Sequence, residues 1–225
     1  MVDLVDPVPC GETEFLWNFA YSESDSESRH GDAWRALLGP GLSQQLDRGA
    51  RSELGSRDWQ SIRRVLLRVR GAYIGALVEL HPVWHLTRVE TSTLGDLRLI
   101  AHEPFYAVTP SLRLDDFVRA LDSGADTPGD RFARRYRALR PMFDPDRSRG
   151  RPMFVGTSLR GPFMEVDGLT RLSILWSRFA QGEPVPRLLE VLVGTSRRLE
   201  EWPYARGEGV VPSEGASPVR YDTSP

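Results

Sequence analysis

The chain has 225 residues, 40% of them hydrophobic, enough to bury one sizeable core, and its formal net charge is −2. All 29 basic residues are arginine, which excludes a Walker A loop, a pyridoxal enzyme and the protein-kinase layout, because each requires a lysine. A single cysteine, Cys10, excludes an internal disulfide and a cysteine-rich zinc site.

Residues 1–20 show no clear periodicity, and Tyr21 to Gly31 is Ser/Asp/Glu-rich, as expected of a loop. Asp32 can cap a short helix from Ala33 to Leu38, stopped by Gly39-Pro40-Gly41, and a second short helix runs through Leu46. Ser56 or Asp58 opens a stronger helix. In it Trp59, Ile62, Leu66, Val69 and Tyr73 recur at helical spacing, and Arg57, Arg63, Arg64, Arg68 and Arg70 take the other positions. Residues 1–83 thus read as a helical N-terminal portion. The near-apolar run from Gly71 to Leu80 is too short to span a bilayer. No basic stretch followed by an apolar one opens the chain, so the expectation is a cytoplasmic protein with no membrane partner.

The period changes after Trp84. His85 to Thr91 alternates as a strand, and Leu97 to Ala101 is expected to pair with it across Ser92–Asp96, with His102-Glu103-Pro104 as the following loop. Ser111 caps a helix from Leu112 to Asp122, whose Leu114, Phe117, Val118 and Leu121 share a face; Thr127-Pro128 starts another, through Leu139. Met153 to Thr157 and Phe163 to Val166 read as strands, Thr170 to Gln181 as a helix and Pro186 to Val193 as a last strand. Ser196 to Trp202 reads as a short helix, and residues 205–225 as a disordered tail. The predicted fold class is α+β, a small mixed sheet with helices on it.

The stretch Phe163-Met164-Glu165-Val166-Asp167-Gly168-Leu169-Thr170-Arg171 carries the chemistry. A strand runs into Asp-Gly and then a helix, so glycine permits a tight turn and the first helical amides lack intrahelical partners. The positive end of that helix is an anion site, with Thr170 and Arg171 placed to close over a phosphate. Asp167 is a candidate for placing Mg²⁺ as well as a helix cap. His81 and His85 are four apart, but Pro82 breaks the helical face that a zinc pair requires.

The turn, with the flanking strand–helix–strand order over residues 84–204, resembles the ParB/sulfiredoxin-like fold, whose nucleotide turn reads Asp/Glu-Gly-x-x-Arg. The resemblance implies a nucleotide, ATP or CTP with Mg²⁺, held by Gly168, Thr170 and Arg171, with Asp167 placing the metal. It also implies a small hydroxylated or amino-acid-like acceptor. Its small-molecule kinases use an early-loop glutamate as base, which points to Glu103 beside His102, with Glu90 and Glu165 in reserve. Many relatives have histidine where this chain has Leu169 and Thr170, and no cysteine lies in the turn, which excludes sulfiredoxin chemistry. The expected function is therefore a nucleotide-dependent phosphotransferase or hydrolase. The alternatives are a nucleotide-switched DNA-contacting regulator using Arg57 to Arg70, and a degenerate scaffold. Nucleic acid is the less favoured partner because acidic residues balance the arginines. The exclusive use of arginine suggests a GC-rich bacterial genome.

Overall fold

A computed structural model of the chain describes residues 2–24, 31–100, 105, 108–125, 131–145 and 149–205. Five strands, β1 (Leu4–Cys10), β2 (Val83–Glu90), β3 (Met153–Gly156), β4 (Phe163–Asp167) and β5 (Leu188–Thr195), form one sheet in the order β1-β2-β5-β3-β4. The helices are α1 (Glu12–Glu23), α2 (Gly31–Leu38), α3 (Pro40–Asp47), α4 (Ser56–Glu79), α5 (Leu114–Asp122), α6 (Arg131–Leu139) and α7 (Leu169–Ala180). The fold is α+β. All strand pairs are antiparallel except β3 with β5, because α7 returns the chain across the sheet and inserts β5 between β2 and β3.

Strand alternation builds a core on each face of the sheet. Met153, Val155, Met164, Val166 and Leu192 join Phe15, Trp34, Leu66, Ile74, Leu77 and Trp202 in one buried cluster under α1, α2 and α4. Phe154, Phe163, Val191 and Val193 join Phe117, Leu172, Ile174 and Leu175 in the other, under α5 and α7. Trp84 stacks on Phe15 with ring centroids 4.4 Å apart. It does so over Gly194, where an added Cβ would come within 2.8 Å of the indole.

The N-terminal portion is not purely helical. β1 pairs with β2 at the edge of the sheet, so Leu4–Cys10 belongs to the same sheet as the strands between Val83 and Thr195. Tyr21, expected in a loop, lies in α1, where it stacks on Trp17 at 5.4 Å. The hairpin expected between His85–Thr91 and Leu97–Ala101 does not form. Thr91–Asp96 winds into a 3-10 turn that buries Leu94, and Gly95 lies so close under Trp176 that an added Cβ would clash with the ring. That turn carries the chain to the far edge of the sheet. There the Arg98 amide donates to the Phe163 carbonyl (3.0 Å) and its carbonyl accepts from the Glu165 amide (2.8 Å). The helix expected from Leu112 begins at Leu114, with Ser111 Oγ accepting from the Arg113 amide and donating to Asp116. The expected tail and the 127–130 start of α6 lie outside the described residues.

Candidate functional site

β4 ends in a β-bulge. Phe154 pairs with Glu165 and Met153 with Asp167, which leaves Val166 as the extra residue. The chain then turns at Gly168, whose φ of 100° and ψ of 12° place it in the left-handed region favoured by glycine. The turn backs onto Pro152, with 3.1 Å between an added Cβ and the proline Cα and Cβ. Gly168→Ala is therefore expected to cost about 2–3 kcal/mol, from the left-handed backbone plus this contact, and to lower Tm by about 5–10 °C. Thermal and urea unfolding measure it, and a loss below about 0.5 kcal/mol would show an unstrained turn.

Around this turn the fold gathers charged side chains from four elements. Arg70 of α4 reaches between α1 and β4, donating to Glu23 and to Asp167 Oδ1 (3.4 Å), with its guanidinium 5.1 Å from the Phe19 ring. It precedes Gly71, where a φ of 55° kinks α4. Glu23 is 2% exposed. Ser22 Oγ lies 3.5 Å from Asp167 Oδ2. Tyr73, on the far side of the kink, donates to the Val166 carbonyl at 2.7 Å, and burial holds its hydroxyl well above the usual tyrosine range. Burial likewise pushes the Glu165 carboxyl from its ordinary 4.5 up to about 8, with the negative Asp167 adding to it and the Leu169 amide and Arg70 opposing it. Glu165 is thus mostly protonated at pH 7, and its carboxyl accepts from the Leu169 amide. Burial also raises Asp167, against the pull of Arg70.

Side chains of α7 and α1 also tie down the segment before β3. The Arg171 fork donates to the Gly150 and Arg149 carbonyls, both at 2.6 Å, and so pins the segment leading into β3. Asn18 of α1 grips the same segment through both ends of its amide, accepting from the Arg151 amide (2.7 Å) and donating to the Arg151 carbonyl (2.8 Å). Asp167 ends β4, Gly168 caps α7 and Thr170 lies in its first turn. Glu103 and His102 lie outside the described residues.

A magnesium ion takes one or two carboxylates plus substrate phosphates. Asp167 is the carboxylate at the turn, and Arg70 beside its Oδ1 opposes a second cation there. No group of three His, Cys, Asp or Glu comes together among the described residues. Asp167 is thus held as a counter-ion to Arg70.

Sequence reasoning missed Arg70, Glu23 and Asn18. Arg70 stood four residues after Leu66 and three before Tyr73, on the buried stripe of α4; an ionisable residue on an apolar stripe was the available signal. Other arginines of the 131–140 segment are also held by protein groups. Arg140 donates to Ser177 Oγ, Gln181 and Glu183, while Arg137 donates to the Gly124 and Ala125 carbonyls. Arg57, Arg64 and Arg68 remain exposed on one face of α4, without an acidic partner among the described residues. No helix among the described residues is long and apolar enough to cross a membrane. Compared with known proteins, the chain matches no family model, no curated protein and no solved structure.

Proposed function

We propose that the chain is a nucleotide-binding protein of the ParB/sulfiredoxin-like type that transfers or hydrolyses a phosphoryl group, with a small hydroxylated or amino-acid-like acceptor. The observation that carries this reading is the junction of β4 and α7. Gly168 is left-handed at the mouth of a 12-residue helix, Arg70 bonds Asp167 just before it, and Arg171 belongs to its first turn with its fork on the Gly150 and Arg149 carbonyls. The Leu169 amide donates to Glu165; the other amides of that turn have no carbonyl one turn back, and an anion there meets the positive end of α7.

Phosphate entry requires Arg171 to leave the Gly150 and Arg149 carbonyls. The exchange replaces guanidinium bonds to neutral carbonyls by a bidentate pair with an anion, in which both partners are charged, and so is favourable in kind. In this reading Gly168, Thr170 and Arg171 hold the phosphates, and magnesium arrives with the ATP or CTP. Glu103 takes the acceptor proton, a role for which Glu165, mostly protonated at pH 7, is unsuited.

Calorimetric titration with ATP, CTP and GTP, with and without Mg²⁺, tests the reading. The expected result is micromolar binding of one nucleotide, lost at least tenfold in Arg171→Ala. Absence of binding by all three would eliminate both catalysis and nucleotide switching, leaving an interaction scaffold. A second reading, a nucleotide-switched DNA-contacting regulator, is favoured by the exposed Arg57, Arg64 and Arg68 face; it predicts nucleotide binding without turnover of any acceptor.

A further inference from the structure

At the opposite end of β4 from the Gly168 turn lies a cavity of about 480 Å³, lined among others by Arg98, Arg113 and Arg160, with Leu112, Met164 and Tyr204. Two of these arginines face each other across a short antiparallel bridge. The Leu99 amide donates to the Leu112 carbonyl (2.7 Å) and the Leu114 amide to the Leu97 carbonyl (2.9 Å). Arg98 and Arg113 between them are therefore a non-hydrogen-bonded pair, the arrangement that brings facing side chains closest, and like charges there are destabilising.

Arg113 donates to Asp96 in an exposed pair, which contributes little neutralisation. Arg98 and Arg160 have no carboxylate partner among the described residues. Three exposed arginines and one partly exposed carboxylate thus border a single cavity, an arrangement that an anion would stabilise. Its volume is that of a small-molecule site, and its lining combines an apolar floor with planar donor forks.

We propose that this cavity binds a small organic anion, a phosphate monoester or dicarboxylate with an apolar body, through Arg98, Arg113 and Arg160. The guanidinium forks take the anionic oxygens, and the apolar body lies on Leu112, Met164 and Tyr204. The proposal stands on the cavity alone and does not depend on nucleotide binding at Gly168.

The test titrates the protein with phenyl phosphate, phthalate, inorganic phosphate and phenol, by calorimetry and by thermal shift. Phenyl phosphate or phthalate is expected to bind and raise Tm, at least tenfold more weakly in an Arg98→Gln/Arg160→Gln double variant, while phenol does not bind. Without ligand, Arg98→Gln is expected to melt no lower than wild type, because a facing like charge is removed. Equal affinity in the double variant overturns the proposal, as does absence of binding by both organic anions. Binding that is lost in Arg171→Ala but kept in the double variant places the anion at the Gly168 turn and overturns it equally. Inorganic phosphate binding as tightly as phenyl phosphate overturns the assignment of an organic ligand.

Discussion

Replacing Arg70 with methionine is expected to cost the fold about 3–5 kcal/mol, the largest effect of any single change around the turn, and to lower Tm by about 10 °C or more. Methionine retains most of the apolar stem over Phe19, so the loss reports the charge and its hydrogen bonds. The reason is the company the guanidinium keeps. Glu23 is 2% exposed and Asp167 is largely buried, and both carboxylates face the same arginine. Without it each must stay charged in a poor solvent or take up a proton, and both options cost free energy. The double variant Arg70→Met/Glu23→Gln is expected to recover at least half of the loss, since a buried pair costs more half-broken than absent. Urea unfolding of the two variants measures the coupling. Equal stability of Arg70→Met and wild type would mean that the pair is worth no more than a surface salt bridge.

Glu165→Gln is expected to stabilise the protein above neutral pH and to flatten its pH dependence. The sign follows from proton binding. The folded-state pKa of about 8 lies above the ordinary 4.5, so between these values the folded state holds a proton that the unfolded chain releases. Stability is then lost as pH rises through that window, and the loss is complete above about 8. Below 4.5 both states are protonated and the penalty vanishes. The penalty is on the order of a few kcal/mol at pH 8–9. Asp167, also pushed up by burial, acts in the same direction. Glutamine is neutral at every pH and keeps an oxygen to accept from the Leu169 amide. Denaturant unfolding from pH 5 to pH 9 should show wild type declining with pH and the variant nearly level across it. Parallel curves would place the titration of Glu165 in the ordinary carboxylate range.

The chain's local chemistry was legible where it depends on neighbours in sequence. The strand Phe163–Asp167, the glycine turn and the helix from Leu169 follow from alternation, a residue tolerant of positive φ and a 3.6-residue apolar period. α5 was equally clear from Leu114, Phe117, Val118 and Leu121. The pairing of Leu97–Ala101 was misread because alternation marks a strand without naming its partner. Gly95 under Trp176 turned that segment to the other edge of the sheet. β1 escaped notice because Asp6, Pro7 and Pro9 disrupt its alternation, a pattern tolerated on an edge strand.

By itself, the sequence determined the α+β class, the absence of lysine-dependent chemistry and the presence of an Asp-Gly turn at the head of a helix. These are properties of composition and of contacts within a few residues. Tertiary structure decided what surrounds the turn. It gave Arg70 to Glu23 and Asp167, committed Arg171 to the carbonyls of Arg149 and Gly150, and buried Glu165 until its carboxyl is mostly protonated at pH 7. It also set Arg98 opposite Arg113 over a cavity. Charge state and pairing depend on solvent exclusion and on side chains far apart in the chain, and both arise only when the helices and sheet have packed.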